Sequence, residues 1–594
     1  MQALNWCVNH LKLHTLLVGA IVFLLLWILS IPYRADYMPN REDIFHLADS
    51  LLLVPDAHWQ NWFTHGYSDC CAPYPEWPED VFGLTRPAFQ FVIYLAHFAL
   101  GKNWGSYQII NCLAVAGLAA VTFKIAKTTL GLRVGPSVLA VGLVVLSPPV
   151  LESWLLGLAY AIEPIATLFV GCAFLAVIAR RDFLCLMCLF AALLAKENAV
   201  WATGAAAITI MLRPKASEPL ARQVFAATSM FLPAVMWLGL RYAFFGGVGG
   251  TYATTGYAPL ASFLSLTVSK LVHIDALFAS PEWSISSDWS AGGWALRDWA
   301  RIGARLLFDA LLCLWAIHSL IRMSNCLRKS IRDRMWPIMD ETLLVAFWGA
   351  SALAFHFALP IAWPRYATSA SMFIWPAIVK DIQKRRNAIA WASLAACSGI
   401  MMVRMGHFAV SWSNGEWWRP GNNSTVAALR EVPTTVRQIY FIPAEHSPLD
   451  TNPKHARAIL GISAEIVRIA DIEWRCDKAS DLVAFHDSVA DGVVSLTVDL
   501  PNCANFDFFG ADFDKGAFAN GQLYRNPSMS YELPDAYYRG PDDLYLGRKM
   551  IVHVHPNGPA RFIIEHANPD GIAWFDISDE LFRNLPQTSR MTSP

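Results

Sequence analysis

The stretch LLVGAIVFLLLWILSI, residues 16–31, is followed by the acidic pair Glu42-Asp43, and this order decides how the rest of the chain is interpreted. The stretch is almost wholly apolar and has no small-residue cleavage signal, which favours an uncleaved first membrane span. The acidic pair then lies beside the membrane surface. There it could act as a pair of catalytic carboxylates, or it could only cap an amphipathic helix that lies on the bilayer.

The composition of the chain is that of a polytopic membrane protein. Of its 594 residues, 55% are hydrophobic and 16% are charged. Several separate apolar runs exclude one soluble core. We predict eleven spans, at residues 15–32, 107–126, 136–150, 161–179, 183–195, 199–212, 224–244, 302–321, 340–359, 366–379 and 388–405.

Basic clusters between these runs set the predicted orientation. Clusters such as Arg180-Arg181 and Arg322 to Arg334 fall on one side if the N-terminus is cytoplasmic and residues 84–101 do not cross. Residues 89–98 are then predicted to form an amphipathic helix along the outer surface, within a first outer loop at 33–105. The chain is therefore predicted to be a multi-pass protein of the cytoplasmic (inner) membrane.

A change in charge separates two predicted domains. Residues 1–415 carry 30 Lys and Arg against 23 Asp and Glu, whereas residues 416–594 carry 16 against 24. We predict an all-α membrane domain at 1–410 and a soluble α+β or mainly β domain at 411–594, on the periplasmic or extracellular side. The acidity of the second domain argues against a nucleic-acid partner.

Two unusually short spans flank the segment Ala195-Lys-Glu-Asn198, which predicts a hairpin whose tip lies in the outer leaflet. Ionisable residues at such a depth usually face a cavity inside the protein. Lys196 and Glu197 are thus candidates for a site. The alternative is a mutual Lys196–Glu197 ion pair with a structural role only.

Charged elements from five places in the chain meet at the outer boundary in this topology. A sugar carried on a polyprenyl phosphate requires both signs of charge there: a carboxylate accepts the proton of the attacking hydroxyl, and Arg or Lys stabilises the phosphate that leaves. The five elements are Glu42-Asp43, Thr85-Arg86-Pro87, the turn Ser147 to Glu152, Lys196-Glu197 and Trp363-Pro-Arg-Tyr366.

The order of these elements resembles the GT-C superfamily of polyprenyl-phosphate-sugar glycosyltransferases, which includes protein O-mannosyltransferases, the lipid A aminoarabinose transferases and the tetratricopeptide-linked O-mannosyltransferases. The resemblance covers residues 10–380. Pro364, where the family pattern has a glutamate, and Ala88, where it has Pro or Leu, depart from the pattern. The matching segments are Glu42-Asp43, Thr85-Arg86-Pro87-Ala88, Ala99-Leu-Gly101, Tyr107-Gln-Ile-Ile-Asn111, Leu193-Leu-Ala-Lys-Glu-Asn198 and Pro364-Arg-Tyr-Ala-Thr-Ser369.

The resemblance implies a GT-C-like membrane domain with juxtamembrane helices in the first outer loop, and it implies roles for single residues. Asp43 would be the general base and Glu42 the supporting carboxylate. The cations that bind the donor lipid phosphate would be Arg86, Lys196 and Arg365, and the residues that line the substrate would be Glu197, Tyr366 and Glu152. The reaction would be an inverting displacement in cell-envelope glycan biosynthesis.

The sequence also leads to expectations about cofactors and about functions other than sugar transfer. Some relatives hold a divalent cation on such carboxylates, but we favour no cofactor and no metal. A transporter or flippase of lipid-linked glycans is the main alternative, and it should show inverted repeats, which the sequence lacks. A non-catalytic glycan-binding membrane protein is another. The sugar and the glycan, lipid or protein acceptor are not identified by the sequence.

Overall fold

Helices form nearly all of the N-terminal part that the computed structural model describes. The described residues are 13–31, 47, 51, 62, 86–155, 158–213, 219–245, 315, 317–326, 328–329, 332, 339–358, 367–385, 391–392, 394, 399, 429, 431–442, 453–468, 472–474, 483–490, 493–499, 506–508, 529–532, 546–547, 549–564 and 573–577. These residues belong to two compact units, a helical one within 1–410 and a second that includes 411–594.

The helical unit follows most of the predicted apolar runs. Two stretches are long and apolar enough to cross a membrane by length and composition, Trp104–Thr129 and Leu220–Ala243. The predicted total of eleven spans stays a prediction, since several runs are only partly described. The helices are α1 Leu13–Leu29, α2 Pro87–Leu100, α3 Gln108–Lys124, α4 Val134–Val145, α5 Pro148–Leu155, α6 Ile162–Ile178, α7 Asp182–Ala195, α8 Trp201–Leu212, α9 Leu220–Ser229, α10 Leu232–Phe245, α11 Glu341–Ala358 and α12 Thr368–Arg385.

One prediction about the local structure of this unit is wrong. The segment Ser147 to Glu152 is not a turn, because helix α5 begins at Pro148 directly after α4. Proline is well accommodated in the first turn of a helix, where its missing N–H removes no hydrogen bond. The predicted surface helix at 89–98 is confirmed as α2, and its place at a membrane surface stays a prediction.

A core of aromatic rings joins α6, α11 and α12. Phe174 of α6, Trp348 of α11 and Phe373 of α12 lie with their ring centroids 5.2 to 5.5 Å apart, and all three side chains are buried. The indole N–H of Trp348 donates to Thr209 Oγ1 at 2.8 Å, so the buried polar atom is satisfied. Helix α6 is thereby held firmly at the centre of the unit.

Apolar side chains also cover much of the outside of the helical unit. Leu16 and Leu24 of α1, Phe225 of α9 and Val235 of α10 are all exposed. An apolar outer surface of this kind is unusual for a protein surrounded by water and indicates an apolar environment.

The second unit contains three β-sheets among the described residues. In the first sheet, the order is β11-β10-β1-β2, with β1 parallel to both of its neighbours, and helix α13, Pro453–Leu460, connects β1 to β2. The other sheets have the orders β3-β6-β8 and β4-β5-β9-β7. The strands are β1 Gln438–Ile442, β2 Glu465–Arg468, β3 Ile472–Trp474, β4 Val483–Ala490, β5 Val493–Asp499, β6 Phe506–Phe508, β7 Met529–Glu532, β8 Leu546–Gly547, β9 Lys549–Val554, β10 Ala560–Ile564 and β11 Ala573–Ile577.

Candidate functional site

Helix α7 ends at a backbone break that presents two charged side chains. The helix runs to Ala195, and Lys196 then adopts an extended conformation with φ −155° and ψ 127°. A 3-10 turn, Glu197–Val200, leads into α8. The two predicted short helices are present, with Lys196 and Glu197 at their connection. That they form a hairpin whose tip lies in a membrane stays a prediction.

Lys196 and Glu197 each form an ion pair with a residue of another element, and their two charges also interact electrostatically with each other. Nζ of Lys196 lies 3.0 Å from Oε1 of Glu163, in the first turn of α6. Oε1 of Glu197 lies 3.5 Å from Nη2 of Arg86, at the start of α2. The two adjacent residues therefore connect α7 to two different elements of the fold.

Arg86 is placed where a cation does not help its own helix. It is the N-cap residue of α2, its side chain makes no capping hydrogen bond, and Pro87 occupies the first helical position. The N-terminus of a helix carries partial positive charge, so a guanidinium there is stabilised only by a nearby anion. Glu197 supplies that negative charge in the structure, and a phosphate would supply it equally well.

Arg241 of α10 is a third cation of this site. Its guanidinium interacts electrostatically with both Glu197 and Arg86, and it also lies over the ring of Trp237, with Cζ 5.1 Å from the ring centroid. Arg241 is 3% exposed. We name this set the charged cluster; its described members are Arg86, Glu163, Lys196, Glu197 and Arg241.

The charged cluster is enclosed by apolar helices. The side chains of Lys196 and Glu163 are 6% and 8% exposed, and those of Arg86 and Glu197 are 10% and 18% exposed. Cations that are buried to this extent attract anions much more strongly than cations in water do. The described members include three cations, Arg86, Lys196 and Arg241, and two carboxylates.

Glu163 and Arg241 were missed when the sequence was interpreted. Both are ionisable residues inside apolar runs, at predicted spans 161–179 and 224–244. Charged residues within such runs are rare and commonly functional. This rule, which identifies Lys196 and Glu197, identifies Glu163 and Arg241 as well.

Four of the predicted site residues lie outside the described residues, and a fifth is described only in part. Glu42, Asp43, Arg365 and Tyr366 lie outside, and Glu152 is described only as part of helix α5. Among the described residues, no group of three or more His, Cys, Asp or Glu side chains could hold a metal ion.

Two of the segments that resemble family motifs have contacts that explain them structurally. The hydroxyl of Tyr107 donates to the carbonyl of Gly101 at 2.9 Å and lies 2.7 Å from Nδ1 of His97, which fixes the C-terminal end of α2. Asn111 donates to Gln108 Oε1 at 3.3 Å, and Gln108 donates to the Trp154 carbonyl near the end of α5 at 2.6 Å. These residues hold the start of α3 against the ends of α2 and α5.

The contacts of Ser369 place the start of α12 beside α6. The hydroxyl of Ser369 lies 2.8 Å from that of Thr167, one turn after Glu163 on α6. Thr368 donates to the Pro149 carbonyl at 3.3 Å. The segment that resembles the late family motif is therefore anchored near the first turns of α5 and α6.

Comparison with known proteins gives structural neighbours and no sequence match. No family model matches the sequence, and no curated protein matches it at a significant level. The chain is similar to the crystal structure of ArnT from Cupriavidus metallidurans bound to undecaprenyl phosphate, with 12% identity, a TM-score of 0.44 and coverage of 90% of this chain and 97% of that one.

A second solved structure is the apo form of an oligosaccharyltransferase from Archaeoglobus fulgidus. It has 12% identity and a TM-score of 0.36, and the match covers 77% of this chain and 65% of that one. The function of this chain is inferred from its own side chains.

Proposed function

We propose that this chain is a membrane glycosyltransferase that moves a sugar from a polyprenyl-phosphate donor to an acceptor on the outer side of the cytoplasmic membrane. The observation that carries the proposal is the charged cluster, in which Arg86, Lys196 and Arg241 meet inside an apolar helical unit. A sugar linked to a lipid through one phosphate is a phosphodiester with a single negative charge. The three described cations of the cluster are suited to bind that anion.

The proposed reaction is a direct displacement at the anomeric carbon of the donor sugar. The oxygen of an acceptor hydroxyl forms the new bond, the bond between the anomeric carbon and the phosphate oxygen breaks, and the bonding electrons leave with the polyprenyl phosphate. Asp43 takes the proton of the hydroxyl, with Glu42 as the supporting carboxylate. Arg86 and Arg241 stabilise the charge that develops on the leaving phosphate. The configuration of the anomeric carbon is inverted.

The remaining predicted residues have supporting roles in this proposal. Lys196 and Arg365 add positive charge near the phosphate, and Glu152, Glu197 and Tyr366 line the substrate. The reaction needs no resident metal, since arginine side chains stabilise the leaving group. The C-terminal unit then lies on the same outer side as the site, with the N-terminus in the cytoplasm.

Direct binding of undecaprenyl phosphate to the full-length protein in lipid nanodiscs tests the anion site. We expect Arg86→Gln to weaken binding at least about tenfold, because a hydrogen bond between charged groups is lost. Arg213→Gln is the matched control: Arg213 pairs with Glu341 at 3.6 Å, and both side chains are substantially exposed. Equal binding by Arg86→Gln and Arg213→Gln contradicts the proposed site.

Transfer of sugar separates the enzyme from the alternative functions. A flippase or a glycan-binding protein would also bind a lipid phosphate, but neither would release free polyprenyl phosphate from a polyprenyl-phosphate sugar. We expect the wild-type protein to release it in the presence of acceptor. Binding without any release, across a panel of donors and acceptors, contradicts the enzymatic proposal and favours the alternatives.

A further inference from the structure

The two ion pairs of the charged cluster differ in closeness and in burial. The Lys196–Glu163 pair is close, at 3.0 Å, and both side chains are less than a tenth exposed. The Arg86–Glu197 pair has a single contact at 3.5 Å, and Glu197 is 18% exposed. At 3.5 Å the Arg86–Glu197 contact is at the long limit of a hydrogen bond, and this pair is the longer and the more exposed of the two.

A comparison within the same chain shows what a close guanidinium–carboxylate pair looks like here. Arg561 donates to Asp576 through Nε at 2.5 Å and through Nη2 at 2.7 Å, one bond to each carboxylate oxygen. This two-bond geometry is the strong form of the interaction. Glu197 instead contacts Arg86 through one oxygen, and its Oε2 is buried without a hydrogen bond to any described residue.

Glu197 has the position that an anionic ligand would take. Its carboxylate interacts electrostatically with Arg86, Lys196 and Arg241. Both guanidiniums are buried, and a negative charge close by offsets their mutual repulsion. The carboxylate contributes such a charge, and its contact with Arg86 is a single one at 3.5 Å.

We propose that Glu197 is an exchangeable counter-ion: it holds Arg86 and Arg241 together when the site is empty and is displaced by the phosphate of the lipid. This inference rests on the proposed function, because it takes the ligand to be a lipid phosphate. Lys196–Glu163 is the part of the cluster that stays in place. Competition by Glu197 lowers the affinity for the released polyprenyl phosphate and so promotes its departure. Glu197 is thus a positioning residue that also limits product affinity.

The test is the affinity of full-length protein in nanodiscs for undecaprenyl phosphate. We expect Glu197→Gln to bind about tenfold more tightly than the wild type, mainly through slower dissociation, because the competing charge is gone. A purely structural role for Glu197 predicts the opposite sign, since loss of its charge would remove one of the contacts that position Arg86. Unchanged or weaker binding by Glu197→Gln therefore overturns the inference.

Two further variants make the result specific. Glu163→Gln removes the same charge from the same cluster. We expect no gain in affinity from it, because Lys196 loses its fixed partner. An equal gain in both variants would show that only the net charge of the cluster matters, and it would overturn the inference. If Glu197→Gln does not fold, Glu197→Asp keeps the charge but is shorter by one methylene group, and we expect it to bind about threefold more tightly than the wild type. Unchanged or weaker binding by this variant overturns the inference.

The outcome for Arg86→Gln keeps the two proposals apart. If Arg86→Gln binds undecaprenyl phosphate as well as the wild type, the anion site itself is wrong, whatever Glu197→Gln does. If Arg86→Gln loses binding and Glu197→Gln gains none, the anion site stands and only the exchange fails.

Discussion

Nζ of Lys196 lies 3.0 Å from Oε1 of Glu163, and this pair joins the C-terminal end of α7 to the first turn of α6. Each charge also complements the dipole of its own helix, with the carboxylate at an N-terminus and the ammonium at a C-terminus. The pair is therefore stabilised twice, by its own attraction and by the two helix ends. It fixes the base on which the rest of the charged cluster is built.

Breaking this pair on one side should destabilise the helical unit. We expect Glu163→Gln to lower the free energy of unfolding by about 3 kcal/mol, because it leaves the Lys196 ammonium buried and without this carboxylate. The double variant Glu163→Leu/Lys196→Met should lose less, because both charges of the Lys196–Glu163 pair are removed together. Thermal unfolding in detergent measures both.

The exposed pair Arg213–Glu341 is the control for that prediction. Its atoms lie 3.6 Å apart, and Glu341 is about half exposed. Glu341→Gln should change stability by less than about 1 kcal/mol. If the loss of stability in Glu163→Leu/Lys196→Met equals the sum of the losses in Glu163→Leu and Lys196→Met measured singly, the Lys196–Glu163 pair has no coupling and its assigned role is wrong.

Arg241 should contribute to anion binding although it is distant in sequence from the other members of the cluster. We expect Arg241→Met to weaken the binding of undecaprenyl phosphate about tenfold or more, because one of three buried cations is removed. Arg241→Lys should keep part of the affinity, since the charge stays but the planar stacking on Trp237 is lost. Nanodisc binding measures both variants, and equal affinity for wild type and Arg241→Met would contradict the role.

The helical elements were largely predictable because apolar runs have a strong signal in sequence. The run predicted at 161–179 corresponds to α6, Ile162–Ile178, and the run at 183–195 to α7, Asp182–Ala195. Local chemistry was harder. Pro148 was interpreted as part of a turn, although proline also suits the first turn of a helix, and only the packing of α5 on its neighbours distinguishes the two.

The sequence predicts the site residues that belong to motifs, but it does not predict which residues form ion pairs with one another. Arg86, Lys196 and Glu197 could be identified from the order of motifs, whereas Glu163 and Arg241 lie within apolar runs without a motif. The partner of Lys196 could not be predicted, because the nearest carboxylate in sequence is Glu197. The ion pair of Lys196 with Glu163 depends on the packing of α7 against α6, which is a tertiary contact.

Close packing around Gly171 gives a prediction about the core of the helical unit. A Cβ atom at this position would lie 2.6 Å from Cγ1 of Val121 and 3.0 Å from Sδ of Met372. Small residues allow helices of this kind to approach closely. We expect Gly171→Ala to cost about 1–3 kcal/mol of stability through overpacking.

Gly142 in α4 is the matched control, since a Cβ there would meet nothing within 4 Å. Gly142→Ala should be neutral or stabilising by up to about 1 kcal/mol, because alanine is the better helix former. Thermal unfolding of the two variants gives the comparison. A Gly171→Ala variant as stable as Gly142→Ala would show that α3 and α12 separate easily at this point.

The catalytic base of the proposed reaction can be tested apart from the anion site. We expect Asp43→Asn to lower the rate of sugar transfer about 10²- to 10⁴-fold, because an amide cannot accept the proton of the attacking hydroxyl. Its binding of undecaprenyl phosphate should stay within about twofold of the wild type, since binding depends on the cations of the charged cluster. The release of polyprenyl phosphate from a radiolabelled donor measures the rate.

Glu42→Gln is the matched control, because Glu42 precedes Asp43 directly and carries the same charge. It should reduce transfer by less than Asp43→Asn does, in keeping with a supporting carboxylate. A larger loss in Glu42→Gln would show that Glu42 is the base and Asp43 the supporting carboxylate. Full activity in both variants would show that neither residue is the base. Loss of both transfer and lipid binding in Asp43→Asn would instead show that the pair helps to assemble the anion site, because a base that acts only on the acceptor has no reason to change the affinity for the product.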